Sequence, residues 1–502
     1  MLLIEDLLPS TSYIMKSFNN LFSVTPLHLD HLKTRSGASP GLWLVMLVPL
    51  ACSPGLYTTY NHCCPTPRLL ALLALQVGMS GIHLYKKLCA LRTHHKTGVD
   101  DQNQTSLLML KFLAFHYTPA LATAVSISLL TETYLLTAVI TTTACTWVLY
   151  ELTQWLFRTF PGSFSLGEGA VVGQTGALTI TCSFHSLFYT IVQQRNFTHL
   201  QEISVFIQTA VLVLLLLMLG VYKFPLLRAS RMFMPYVCSC GVIGMAISSY
   251  LLGKWTPIWL LGVIMVTPIR STLLGWWSGL TLLAVAITIK ARRSSSVATT
   301  VLRKIFHILI VLVFTPGLLL EPTFTHLAAT AAIMFCILLE LVRALGIEPI
   351  ASVISEAFVT FMDEKDGGSL TVSHIYLLAG VASPLWLSPC PLNESQADTV
   401  LPLLAGVLAV GIGDTAASVG GTYLGRTRWS GTKKTVEGSV CGVMAQTIAV
   451  LFLVGIGTVK MSVAAWSHFL VTILLVAVVE AFTDQVDNIV LPLLLYTSLM
   501  HL

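Results

Sequence analysis

Leu273–Ile289 reads LLGWWSGLTLLAVAITI, an uncharged run of 17 residues, and Val211–Val221 reads VLVLLLLMLGV. A bilayer core requires about 20 predominantly apolar residues in helical form. Every backbone amide and carbonyl inside it must also be satisfied within the segment, which a helix does and an open strand cannot. Only 10% of the 502 residues are charged and the mean hydropathy is +0.80, whereas about a quarter of the residues of a soluble domain carry charge. The chain is therefore expected to be an all-α, polytopic helical membrane protein. No alternating strands of the outer-membrane type are visible.

Working outward, candidate spans fall near 41–57, 69–88, 107–130, 133–157, 168–192, 202–222, 232–253, 256–268 and 271–289. A second set falls near 305–320, 325–345, 371–388, 399–423, 440–459, 463–479 and 489–501, so about 14–16 spans are expected. Trp255–Ile269 is too short for an untilted span and reads as re-entrant. The expected organisation is a solvent-facing tail over 1–40, to which no chemistry is attached, a multi-span region over 41–290 and a carboxy-terminal membrane region over 291–502. A cleaved signal peptide is not expected, because the amino terminus lacks a basic region followed by an apolar core and a small-residue cleavage site.

The net charge of +5 comes from clusters rather than from a basic domain, so nucleic-acid binding is not expected. Eleven scattered cysteines, Cys63 and Cys64 adjacent among them, show no metal-ligand spacing. Glu132, Glu151 and Glu168 lie near span ends in the first half, without convergent partners, and are expected to snorkel to the interface.

The chemistry gathers in one polar insertion between apolar segments, GIGDTAASVGGTYLGRTRWSGTKKTVEGS, Gly411–Ser439. Small residues around Asp414 would let backbone amides approach a ligand. Arg426, Arg428, Lys433 and Lys434 follow, with the hydroxyls of Thr432, Thr435 and Ser439. A carboxylate, cations and close backbone approach are the parts of a polyphosphate site. Two common nucleotide motifs fail here. Before Thr427, Arg426 stands where a P-loop needs Lys and the flanking segments are membrane-like, and Ala416 stands where a Rossmann turn needs its third glycine.

Upstream, KARRSSSVATTVLRK packs five bases into 15 residues, 290–304, and should face the cytosol. Arg303 and His307 are one helical turn apart, with Lys304 on the adjoining face, an arrangement suited to holding an anion. Counting spans from this loop returns 346–370, with Met362–Gly368 (MDEKDGG), then 423–437 and 480–488 to the same side. The Asn393-Glu394-Ser395 sequon falls on the other. The last stretch, EAFTDQVDN, places Glu480, Asp484 and Asp487 at i, i+4 and i+7, which predicts one acidic helical face neutralised by Mg²⁺ or by the loop around Lys433.

Taken together, RKIFH (Arg303–His307), EKDGGSLTVSHIYLLAG (Glu364–Gly380), GIGDTAAS (Gly411–Ser418), GTKKTVEGS (Gly431–Ser439) and EAFTDQVDN (Glu480–Asn488) resemble the dolichol kinase family of CTP-dependent polyprenol kinases. The resemblance covers the carboxy-terminal two fifths of the chain. More distantly, the region is similar to phosphatidate cytidylyltransferases and phytol kinases. It implies an endoplasmic reticulum enzyme that phosphorylates dolichol with CTP, and a CTP-binding segment made of Tyr423, Leu424, Gly425, Arg426, Thr427, Arg428, Trp429, Ser430, Gly431, Thr432, Lys433, Lys434, Thr435, Val436, Glu437, Gly438 and Ser439. The GRTRW sequence departs from the usual single basic position after the glycine. The expected roles are a phosphate clamp for Lys433 and Lys434, and metal binding or orientation of the lipid hydroxyl for Asp414. Arg303, Lys304 and His307 would hold the anion, and Asp484 and Asp487 are secondary metal ligands, with Mg²⁺ the expected ion. Rival readings are a CTP:lipid cytidylyltransferase, which releases pyrophosphate, and a transporter using Asp414 for ion coupling.

Overall fold

The computed structural model of the chain describes residues 34–35, 38–57, 66–94, 102–131, 133–193, 197–293, 299–359, 366, 368–388 and 397–501. The tail before residue 34, Cys63 and Cys64, Glu132, the centre of the basic loop at 294–298, most of the MDEKDGG stretch and the Asn393 sequon lie outside the described residues.

In chain order the helices are α1 (Leu47–Cys52), α2 (Pro67–His94), α3 (Gln102–Thr131), α4 (Leu135–Thr159), α5 (Leu166–Gln193), α6 (His199–Lys223), α7 (Ser230–Leu252), α8 (Thr256–Met265) and α9 (Pro268–Arg293). They continue with α10 (Thr299–Leu320), α11 (Pro322–Ala344), α12 (Ile350–Val359), α13 (Ser373–Leu387) and α14 (Ala397–Leu403). A π-helical stretch (Val407–Asp414) leads into α15 (Thr415–Leu424), α16 (Val436–Gly455), α17 (Val463–Phe482) and α18 (Asp487–Leu499). Among the described residues there is no strand beyond one isolated bridge between Arg428 and Thr435. Among the described residues eight helices are long and apolar enough to cross a membrane, and there are shorter apolar helices such as α8, α13 and α18. The chain is an all-α polytopic membrane protein.

Two spans read as continuous are broken. Residues 41–57 form a chain of short helical turns. The 399–423 segment is interrupted at Leu404, a single turn residue after α14, and two further helical residues lead into the π-helical stretch. Such stretches mark functional positions in helices, and this one ends on Asp414. Helix α12 has no counterpart among the candidate spans, being amphipathic and only ten residues long.

One apolar core joins α1, α2, α4 and α5 to the 401–410 segment, α17 and α18. Phe469 and Tyr496 are fully buried there. The two membrane regions therefore share one interior. Thr435 and Ser462 cap α16 and α17, their hydroxyls accepting from Gly438 and Ala465 N–H at 3.2 and 3.1 Å. Helix α16 is long and apolar enough to cross a membrane, and a crossing would put exposed Ser430 and Lys460 on opposite faces. With background cysteines removed, Ser430→Cys and Lys460→Cys should be labelled by an impermeant thiol reagent from opposite sides of sealed vesicles. Labelling from the same side would remove α16 as a span.

Candidate functional site

Asp414 sits at the end of the π-helical stretch and faces the first turns of α10. Lys304 Nζ donates to its Oδ2 at 2.5 Å and lies 3.3 Å from its backbone carbonyl, and His307 Nε2 stands 3.3 Å from the same Oδ2. His307 is buried, and its Nδ1–H donates to the Arg303 carbonyl at 2.7 Å, which fixes the ring with Nε2 toward the carboxylate. The expected anion-holding group of α10 is thus partly engaged within the protein. Lys304 and His307 both converge on an internal carboxylate.

The glycines around Asp414 serve helix approach. A Cβ on Gly413 would come within 2.6 Å of the Gln446 amide, one on Gly442 within 3.0 Å of the Gly413 carbonyl, and one on Gly438 within 2.7 Å of the Ala417 carbonyl. Gly420 is backed by Cys441 in the same way. Small residues on both partners let α15 and α16 pack nearly backbone to backbone, which holds Gly413, next to Asp414, against Gly442 and Gln446 of α16. Gly438→Ala should therefore overpack this contact, lowering stability by about 1–3 kcal/mol, read as a lower unfolding midpoint in detergent.

Between α15 and α16 the cationic loop folds as a tight hairpin. Trp429 N–H donates to the Lys434 carbonyl at 3.0 Å, Val436 N–H donates to the Thr427 carbonyl at 2.9 Å, and Gly431 takes the left-handed turn position at φ +76°. Glu437 accepts the Thr427 N–H at 3.0 Å, and Trp429 donates to the Ser439 hydroxyl at 3.1 Å while its ring meets Phe482 edge-on. Tyr423, Leu424, Arg426, Arg428 and Lys433 project outward as exposed side chains.

Lys434 points inward. Its Nζ donates to the Glu480 carbonyl at 2.7 Å and lies 3.5 Å from the Glu480 carboxylate and 3.8 Å from Asp487. Burial alone would lower its pKa, but Glu480, Asp487 and Asp414 together outweigh burial and hold the ammonium above its ordinary range. A single cluster of Lys304, His307, Asp414, Lys434, Glu480 and Asp487 is thereby drawn from α10, the π-helical stretch, the hairpin, α17 and α18.

The acidic helical face predicted for Glu480, Asp484 and Asp487 does not form. Helix α17 ends at Phe482 and α18 begins at Asp487, so the three acids leave one helical register. Glu480 and Asp487 are reunited by Lys434. Asp484 turns away: its two oxygens accept the Ser39 N–H at 2.6 Å and the Ser39 hydroxyl at 2.8 Å. Partial burial raises its pKa, but these bonds and one from Gln485 lower it further. The contact is therefore present at neutral pH and is lost as pH falls below the ordinary carboxylate range.

Glu168 also departs from expectation. It is buried at the start of α5, paired with Arg35 at 2.5 Å, whereas exposed Glu151 behaves as a surface acid. Arg35, in a tail read as free of chemistry, carried no signal pointing to Glu168, whereas the cation that neutralises Glu480 and Asp487, Lys434, comes from the loop around Lys433 as expected.

The chain is similar to known proteins over much of this region. The model of a family described as dolichol kinase matches residues 119–468, a range that contains Lys304, His307, Asp414 and Lys434. A dolichol kinase of Mus musculus is 38% identical over 256 residues, covering 48% of this chain and 47% of its own. One of Bos taurus is 41% identical over 221 residues, covering 42% and 40%, and one of Saccharomyces cerevisiae is 29% identical over 242 residues, covering 47% and 43%. The matched part of the chain spans about half the length of these curated relatives. No solved structure matches.

Proposed function

The chain belongs to the dolichol kinase family, and from that premise we propose that it transfers the γ-phosphoryl group of CTP to the terminal hydroxyl of dolichol. The products are dolichyl phosphate, a carrier lipid for the glycan donors of protein N-glycosylation, and CDP. The reading places the enzyme in the endoplasmic reticulum membrane as a multi-pass protein, with its charged cluster at the cytosolic face.

The observation that carries the reading is the meeting of Lys304, Asp414 and Lys434 from separate elements beneath an exposed basic hairpin. A phosphoryl group in transit spreads charge over three oxygens, so catalysis rests on cations held in place and on alignment of a poorly nucleophilic alcohol. Lys434, fixed by Glu480 and Asp487, and Lys304, fixed by Asp414, are cations already in place. The outward Arg426, Arg428 and Lys433 form the entry side for an anionic nucleotide. In this reading Asp414 orients the lipid hydroxyl or holds the metal.

Magnesium held with a nucleotide commonly takes one or two protein carboxylates, the remaining ligands being phosphate oxygens and water. Among the described residues no group of three His, Cys, Asp or Glu side chains is disposed to hold an ion alone. Asp414 and Asp487 are the carboxylates of the cluster that would supply them, each held in this structure by a lysine, whereas Asp484 lies outside the cluster on Ser39. Bound there, the ion would neutralise developing charge on the phosphate oxygens.

Purified protein in detergent, given γ-labelled CTP, Mg²⁺ and a polyprenol, should place the label in the lipid and release CDP. Release of pyrophosphate with a CMP-bearing lipid would instead make the protein a cytidylyltransferase.

A further inference from the structure

Arg35 and residues 38–41 lie across the loop that joins α17 to α18. Arg35 N–H donates to the Phe164 carbonyl at 2.8 Å, and its guanidinium reaches Glu168 at 2.5 Å and the Asp484 carbonyl at 3.4 Å. Glu168 in turn accepts the Val486 N–H at 3.0 Å and the Ser165 N–H at 2.9 Å. Ser39 binds both Asp484 oxygens, Gln485 donates to the Ser39 carbonyl at 2.9 Å, and the Ser165 hydroxyl donates to Gln485 at 2.5 Å. Gly41, at φ +66°, passes so close to Gln485 that a Cβ there would sit 2.8 Å from its amide carbon.

Each residue from Asp484 to Val486 is thus held from outside its own helices. This loop spaces Glu480 from Asp487, the two carboxylates that share Lys434. We infer that Arg35, Ser39 and Glu168 are positioning residues: they latch the α17–α18 loop so that Glu480 and Asp487 stay on Lys434, which keeps the ammonium directed into the cluster. The consequence for catalysis rests on the kinase reading above. The geometric claim does not.

Breaking the buried Arg35–Glu168 pair risks unfolding, so the test uses the exposed end of the latch. Ser39→Ala, Asp484→Asn and the conservative Ser39→Thr would be compared with the parent protein in detergent. The first readout is the rate at which an amine-specific reagent modifies Lys434, followed by mass spectrometry. Ser39→Ala and Asp484→Asn should raise that rate by about tenfold, the shift expected from losing a hydrogen bond to a charged group, and Ser39→Thr should restore it. The second readout is steady-state kinetics, where the same two variants, folded and with an unfolding midpoint only modestly lowered, should raise KM for CTP with a smaller change in kcat. Unchanged Lys434 reactivity in both variants would overturn the latch. Raised reactivity with unaltered KM would overturn its role in positioning. A parent protein that transfers no phosphoryl group would remove the kinase reading and leave the reactivity of Lys434 to decide the latch.

Discussion

Asp414→Asn should reduce turnover by about 100-fold or more, and it should also destabilise the protein before any substrate binds. The substitution keeps the size of the side chain and removes its charge. Lys304 and His307 would then face an amide from inside the membrane protein, and the Lys304–Asp414 pair is only 19% and 13% exposed at its two side chains. Stranding one partner of a poorly hydrated pair costs about 3–5 kcal/mol, and losing a group that orients a reacting hydroxyl costs about two to four decades. Stability and rate would fall together, so the single variant cannot separate them. Lys304→Met with Asp414→Asn removes both charges and should recover most of the lost unfolding midpoint, since residues in one ion pair are strongly coupled. Turnover should stay low in the double variant if Asp414 serves the reaction. Recovery of both turnover and stability would reduce Asp414 to the counter-ion of Lys304.

That experiment depends on a contact that the sequence brought near but did not specify. RKIFH and GIGDTAAS were both legible as functional stretches, because a lone carboxylate among glycines and a basic turn at the start of a span are expensive in a membrane. Their pairing was not legible, since it depends on Gly413, Gly438 and Gly442 bringing helices to backbone contact. Of these, Gly413, beside Asp414, reads from the sequence as room for a ligand. Spans such as α6, α9 and α16 follow directly from apolar runs, whereas the break before Asp414 and the loop before Asp487 depend on tertiary contacts. For the row Glu480, Asp484 and Asp487, helical periodicity was applied across a segment where Thr483 and Val486 leave the helix, so the spacing lost its meaning. The latch from Arg35 and Ser39 joins residues more than four hundred positions apart in sequence, a separation at which no pattern in a single chain reports contact.

Lys434→Ala should lower kcat/KM for CTP by about 10- to 100-fold, and by more than Lys433→Ala. The sequence gives the two neighbours equal weight as a phosphate clamp. In the structure Lys433 is exposed, whereas Lys434 is directed inward by the Glu480 carbonyl and two carboxylates. A hydrogen bond to a charged group contributes about 1.5–3 kcal/mol, which corresponds to one to two decades in rate. The pH dependence gives a second discriminator. A lysine whose folded-state pKa is raised gives a contribution fully present below its ordinary pKa and lost only as pH rises through the raised value. Since Lys434 is held above its ordinary range, its charge should not titrate between pH 6 and about 9. Any loss of kcat/KM on the alkaline side of neutrality should therefore persist in Lys434→Arg if that variant remains active. Should Lys434→Ala match the parent protein in kcat/KM, the inward lysine is only a counter-ion for Glu480 and Asp487, and the exposed Arg426, Arg428 and Lys433 become the cations that hold the nucleotide.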